Sequence, residues 1–241
     1  MNLVQRKNFN IREGERQLTM IKAIIFDLDG TLLNRDASIE MFVDCQYDRL
    51  NIELGHIPKD TYTKRFIELD QRGYVWKDKV YQQLAAEFEL KEITWEELLQ
   101  DYLSQFKNHC MAFPNLKKML EGLKSKNLLL GMITNGFGQF QMDNLKSLQI
   151  EKYFDVILVS EWEGIKKPDP RIFNKALNIL NVQANEAIFV GDHPENDVLA
   201  AKKVGMKGIW KKDLHWRNAE ADLIVDDLGE LPFIIEKLMK E

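Results

Sequence analysis

The chain has 241 residues, of which 45% are hydrophobic and 29% charged, and a formal net charge of −5. That length admits one large domain or a core with a smaller lobe, and the composition is ordinary for a soluble globular enzyme. The acidic balance argues against a nucleic-acid partner gripped through its phosphates, and no apolar run approaches the ~18 residues of a membrane span.

Residues 1–19 are polar and lack the apolar core of a signal peptide, so they read as a flexible N-terminal extension. Met20 stands immediately before the first apolar run and is expected to be the natural start. On that reading Arg12-Glu13-Gly14-Glu15-Arg16 is translated ribosome-binding purine sequence; a short disordered extension is the plain alternative.

Residues 21–26 read as a buried strand that runs into Asp27-Leu28-Asp29-Gly30-Thr31-Leu32-Leu33. Two carboxylates one residue apart at a strand end, followed by a glycine break, do little for stability. Alternation sets Asp27 and Asp29 on the same side until the turn at Gly30 rotates the second. Like charges this close repel unless a cation or a proton lies between them, and a hard oxygen site suits Mg²⁺.

From residue 36 to 111 the pattern is helical throughout, with amphipathic stretches at 38–54, 60–71, 77–88 and 94–106. Tyr81, Leu84, Ala85 and Phe88 illustrate the spacing of a buried helix face. Further strands are expected at 128–133, 156–159, 187–190 and 208–210, and a weaker one at 223–225. Helices are expected between and after them at 114–126, 140–148, 170–180, 194–204 and 228–240. This alternation predicts an α/β fold with a parallel sheet covered on both faces. Residues 20–35 and 112–241 then form the α/β core and residues 36–111 an inserted helical unit. In such sheets ligands gather at the carboxyl ends of the strands, where Asp27, Thr134, the Lys167 loop and Asp192 all fall. Two cysteines, Cys45 and Cys110, fit a reducing, cytoplasmic compartment better than a disulfide scaffold.

The segment Asp27 to Leu33 resembles the first motif of the haloacid dehalogenase-like (HAD) hydrolase superfamily. Ile133-Thr134-Asn135-Gly136 resembles the second, Lys167 in Lys166-Lys167-Pro168-Asp169-Pro170 the third, and Gly191-Asp192-His193-Pro194-Glu195-Asn196-Asp197 the fourth. Four motifs in order make chance a poor explanation. The resemblance implies a Rossmann-like doubly wound parallel sheet with an α-helical cap domain inserted between motifs one and two, rising over the catalytic edge.

The resemblance also implies roles. Asp27 is the expected nucleophile, forming an aspartyl-phosphate, and Asp29 the general acid and then base. Asp27, Asp192, Asp197 and Asp29 (through its backbone carbonyl) form the expected Mg²⁺ site, with Asp192 the more direct ligand of the fourth-motif pair. Thr134 and the Asn135 amide would hold phosphate oxygens, and Lys167 would offer its charge to phosphate and Asp27. Lys166 reads as solvated and His193 as a polar residue at a helix entrance. In the cap, the loop Arg72-Gly73-Tyr74-Val75-Trp76 is the candidate for specificity, with Arg72 and Tyr74 named as substrate contacts; Asn34 and Arg35 are further candidates at the hinge. Each has a plainer alternative: a turn-capping Asp29, helix-capping Asp192 and Asp197, a simple turn at Thr134, an ordinary surface arginine.

The expected activity is Mg²⁺-dependent hydrolysis of a small phosphorylated metabolite or nucleoside monophosphate, with no obligate protein partner evident. The alternatives are a phosphotransferase such as a sugar phosphomutase and, from another class, a phospho-aspartate receiver-like signalling module. The family's dehalogenases lack an acid where Asp29 stands, which disfavours that chemistry. No glycine-rich dinucleotide fingerprint follows a strand, so no organic cofactor is expected.

Overall fold

The computed structural model describes residues 20–240, so the expectations for residues 1–19, including which methionine starts the chain, lie outside the described residues. Six strands form one parallel sheet: β1 (Ala23–Phe26), β2 (Leu129–Thr134), β3 (Val156–Val159), β4 (Ala187–Gly191), β5 (Lys207–Lys211) and β6 (Leu223–Val225), in the order β3-β2-β1-β4-β5-β6. Every strand expected from the apolar runs is present. β1 is fully buried and alternates between two cores, Ile24 and Phe26 entering one and Ala23 and Ile25 the other. That is why its sequence is continuously apolar rather than alternating.

Five helices occupy the stretch between β1 and β2 that the sequence marked as helical: α1 (Arg35–Arg49), α2 (Asn51–Leu54), α3 (Lys59–Asp70), α4 (Lys77–Glu87) and α5 (Trp95–Gln105). The single helix expected over 38–54 is two, because Leu50 leaves helical geometry at φ −106°, ψ 32°. Asn34 caps α1 by accepting from the Ala37 amide, and Thr94 and Glu97 form a reciprocal capping box on α5. α1 packs on α3, α3 on α4 and α4 on α5. Their interior, with Phe42, Tyr62, Phe66, Tyr81 and Tyr102 all buried, is continuous with one face of the sheet.

The remaining helices are α6 (Leu116–Lys124), α7 (Gly138–Ser147), α8 (Ser160–Glu163), α9 (Pro170–Leu180), α10 (Ala200–Lys203) and α11 (Leu231–Leu238). α6, α7 and α11 bury leucines and Ile235 against one face of the sheet, while α9 and α10 cover the other through Ile172, Phe173 and Ala201. The helix expected over 194–204 opens instead with a π-helical turn, Pro194–Leu199, before α10. Among the described residues no helix is long and apolar enough to cross a membrane.

The chain steps from β1 outward through β2 to β3, then returns to lay β4 on the other side of β1. Asp27 and Asp192, just past β1 and β4, therefore flank the point where strand order reverses, the usual ligand position in an open α/β sheet.

Candidate active site

Asp27 is buried just past β1, its amide donating to the Val190 carbonyl of β4 at 3.0 Å. The chain then folds back tightly, with the amides of Thr31, Leu32 and Leu33 all donating to Leu28. Gly30 has φ +83°, and a Cβ there would stand 2.5 Å from Asp192 Oδ2, so both the backbone angle and the space require glycine. The turn brings Thr31 Oγ1 to Asp27 Oδ2 at 3.3 Å and to Asp192 Oδ1 at 3.4 Å.

Lys167 is buried and its ammonium bridges Asp27 Oδ1 at 2.5 Å and Asp197 Oδ1 at 2.6 Å. Asn135 fixes the backbone that carries it: its Oδ1 accepts from the Lys167 amide at 2.9 Å and its Nδ2 donates to the Lys167 carbonyl at 3.0 Å. Asp197 Oδ2 in turn accepts from the His193 amide at 3.1 Å. His193 caps the π-turn, its Nδ1 accepting from the Glu195 and Asn196 amides, as its place at a helix entrance implied. Lys166 is exposed.

Asp27, Asp192 and Asp197 each bring a carboxylate oxygen within 4.8 Å of the others. Three buried or half-buried carboxylates face one lysine, leaving an excess of negative charge. Burial pushes the Asp27 carboxyl above its ordinary range, with Lys167 pulling it back. Burial, then the charges of Asp27 and Asp197, push Asp192 up strongly. Burial also opposes the charge on Lys167, but Asp197 and Asp27 outweigh it and hold the ammonium above its usual range. A divalent cation would relieve the repulsion among the carboxylates, and an all-oxygen donor set of this kind fits Mg²⁺. The Asp29 carboxylate lies outside this group, which leaves its backbone carbonyl as the atom expected to face a metal.

Asp29 has a different partner. Gln141, on α7 and buried, donates from Nε2 to Asp29 Oδ2 at 2.6 Å and to Thr134 Oγ1 at 2.8 Å. Thr134, buried at the end of β2, is thus tied to Asp29 through one amide group. Burial raises the Asp29 carboxyl, and Arg35 and Gln141 oppose the rise.

A cavity of about 630 Å³ opens above these groups, lined on the core side by Asp27, Asp29, Asn135, Lys167, Asp192 and Asp197. From the helical insertion come Arg72, Gly73, Tyr74 and Trp76, the loop marked in the sequence as a specificity candidate, with Lys77 beside it, and from the hinge comes Arg35. Arg72 reaches the cavity, but its guanidinium is engaged by Asp213 and Asp36. Tyr74 stands at the mouth, 63% exposed. Sequence reasoning missed Gln141, Lys77 and Asp213. The signal for the first two was a polar or charged residue at a position where the helical pattern calls for core.

Sheet order, the helices inserted after β1 and the paired carboxylates of the β1 turn place the chain among Rossmann-like α/β hydrolases. It belongs to the haloacid dehalogenase-like hydrolases, whose family model matches residues 24–211. A glyceraldehyde 3-phosphate phosphatase of Pyrococcus furiosus is 30% identical over 230 residues, covering 92% of this chain and 94% of that protein. A phosphoserine phosphatase of Thermus thermophilus is 36% identical over 129 residues, covering 52% of this chain and 51% of its own. The crystal structure of a HAD phosphatase from Thermococcus onnurineus is 31% identical with a TM-score of 0.63, covering 89% of this chain and 98% of its own.

Proposed function

We propose that the protein is a Mg²⁺-dependent phosphomonoesterase that hydrolyses a small phosphorylated metabolite through an aspartyl-phosphate on Asp27. The observation that carries this reading is the separation of two carboxylates only two positions apart. Asp27 is ion-paired to Lys167 within an acidic cluster, whereas Asp29 is held apart by the neutral amide of Gln141. Environments that divide a carboxylate pair in this way divide nucleophile from acid.

In the first half-reaction an Asp27 carboxylate oxygen attacks phosphorus and the bond from phosphorus to the leaving oxygen breaks. Asp29 gives its proton to that oxygen. In the second half-reaction Asp29 takes a proton from water, whose oxygen attacks phosphorus, and the bond to Asp27 breaks to release inorganic phosphate. Lys167, the Thr134 hydroxyl and the Asn135 amide are assigned to the phosphoryl oxygens, where fixed donors stabilise the charge that builds. Asp27, Asp192, Asp197 and the Asp29 carbonyl would hold the Mg²⁺, which when bound neutralises the acidic cluster and phosphate charge.

Residues 36–111 serve as the cap in this reading, with residues 20–35 and 112–241 as the catalytic core. The cap limits the substrate to a small molecule and excludes water from the reacting phosphoryl group. A cytoplasmic place suits both a phosphorylated-metabolite substrate and the two free cysteines.

The test is phosphate release from a panel of small phosphomonoesters by wild type and Asp27→Asn, each with Mg²⁺ or EDTA. Metal-dependent release that disappears in the variant is the expected result. Undiminished release by Asp27→Asn, or none from wild type, overturns the reading.

A further inference from the structure

Three charged side chains, one at the hinge into the cap and two within it, form a cluster that hydrolysis itself does not use. Arg35 opens α1 and makes a two-pronged hydrogen bond from Nη2 to Asp70, at 3.0 Å to Oδ1 and 2.9 Å to Oδ2. Lys77, the first residue of α4, pairs with the same carboxylate. Asp70 and Lys77 are 2% and 1% exposed, too buried for water to carry their charges. The Lys77 ammonium lies 5.2 Å from the centre of the Tyr102 ring and 5.9 Å from that of Trp76.

Arg35 and Lys77 line the cavity, and Asp70 stands behind them. Two cations thus front the pocket and share Asp70, the carboxylate hydrogen-bonded to both; the exposed Asp36 lies 4.0 Å from Arg35 Nη1 and is also paired with Arg72. Asp29, whose charge also acts on Arg35 and Lys77, takes its hydrogen bond from Gln141 and not from either cation. Room for the arrangement is built into the loop: a Cβ on Gly73 would come within 2.9 Å of the Arg35 guanidinium. A buried cation such as Lys77, which shares its one ion-pair partner with Arg35, is costly unless something completes it. The reacting phosphoryl group belongs to the opposite, core side of the cavity, with Lys167 and the acidic cluster.

We propose that Arg35 and Lys77 recognise a second oxyanion on the leaving group, so that the substrate is a small phosphomonoester bearing a carboxylate or another phosphate. This rests on the phosphatase reading of the same site. The two cations are specificity residues, and Asp70 positions them. The proposal departs from the name of the Pyrococcus furiosus relative, whose substrate carries a neutral aldehyde.

The experiment compares three-carbon phosphomonoesters that differ at the far end: glycerol 3-phosphate and glyceraldehyde 3-phosphate (neutral), 3-phosphoglycerate (carboxylate) and propane-1,3-diol bisphosphate (second phosphate). Wild-type kcat/KM is expected to favour the anionic members by about 10- to 100-fold, the size of one charge-assisted hydrogen bond in a buried site. The two anionic arms separate carboxylate from phosphate recognition. Lys77→Met keeps the length of the side chain and leaves Arg35 and Asp70 as a balanced pair, so the anionic-to-neutral ratio should collapse to within about threefold. Phosphate release with no preference for the anionic members overturns this inference and leaves the phosphatase reading standing. No release from any compound overturns the phosphatase reading. In that case calorimetric binding of 3-phosphoglycerate and glycerol 3-phosphate to Asp27→Asn with Mg²⁺ still decides the inference, because equal affinities refute it without any turnover. The wild-type ratio likewise decides if Lys77→Met fails to fold.

Discussion

Replacing Gln141 by leucine removes the amide that ties Asp29 to Thr134 while keeping a buried side chain of similar volume. Among the described residues Gln141 is the hydrogen-bond donor to the Asp29 carboxylate, at 2.6 Å. A hydrogen bond to a charged group is worth about 1.5–3 kcal/mol, and each 1.36 kcal/mol is tenfold in rate. If that energy orients Asp29 for proton transfer, kcat should fall by roughly 10- to 100-fold, inside the 10²–10⁴-fold that general acid–base catalysis supplies in all. KM should change less, because Lys167 and the acidic cluster are untouched.

The decisive assay is a double-mutant cycle on phosphate release with Gln141→Leu, Asp29→Asn and the two combined. If Gln141 works through Asp29, the double variant is no slower than Asp29→Asn alone. Multiplying effects, or a Gln141→Leu enzyme within threefold of wild type in kcat, would refute the positioning role. A fall in KM with kcat unchanged would refute it too, by pointing to ground-state binding.

Two further predictions use the same geometry. Gly191→Ala removes no functional group, yet its Cβ would lie well inside contact distance of the Asp197 side chain. Displacing Asp197 disturbs Lys167 and, on the proposed reading, the Mg²⁺ ligands, so Mg²⁺-dependent kcat/KM should fall at least about 100-fold, the scale of a small misplacement of a catalytic group; near-wild-type activity would show that the site yields freely. Burial lowers Lys77 from 10.5 to about 8, with Asp70 opposing the fall and Arg35 adding to it. The groups facing it are Asp70 from α3, Arg35 from α1, Asp29 from the core and the rings of Phe66, Trp76 and Tyr102. Lys77 is therefore charged below that pH and neutral above it, and the ratio of kcat/KM for 3-phosphoglycerate to glycerol 3-phosphate should drop as pH rises through about 8. A ratio flat to pH 9.5 would exclude Lys77 as the recognising cation.

The placement of the core residues was legible because they sit where two local rules meet: a continuous apolar run marks a buried strand, and a polar residue at or just past its end lands on the ligand edge of a parallel sheet. Asp27, Thr134 and Asp192 follow from those rules alone. The Lys167 loop was expected directly past a strand end as well, but α8 (Ser160–Glu163) stands between it and β3, so Lys167 needed its motif. Gln141 escaped although Gln141 and Asn144 are two buried polar residues one turn apart on α7, bonded to each other at 3.2 Å. A helical period says which face is inward, not that an inward amide has a carboxylate to meet. The break at Leu50 escaped for a related reason, because no glycine or proline marks it.

The helical insertion was readable as helices and little more, and the cause is geometric. Arg72 was visible as a candidate, but the carboxylate that engages it, Asp213, is 141 residues away on the core. Lys77 and Asp70 are seven residues apart, on opposite sides of a loop with left-handed geometry at Gln71, Arg72 and Gly73. No periodicity reports that such a loop folds a lysine back onto an aspartate. The cavity has an acidic side on the core, with Asp27, Asp192 and Asp197, and a side with Arg35 and Lys77 at and beyond the start of the helical insertion; on the proposed reading the first takes a metal and a phosphate and the second a further anion. The core face can serve any phosphomonoester, since it addresses only the group that all of them share. On the proposed reading discrimination then falls to the other side, where Arg35 and Lys77 make the leaving group's charge the first property to vary when seeking the natural substrate.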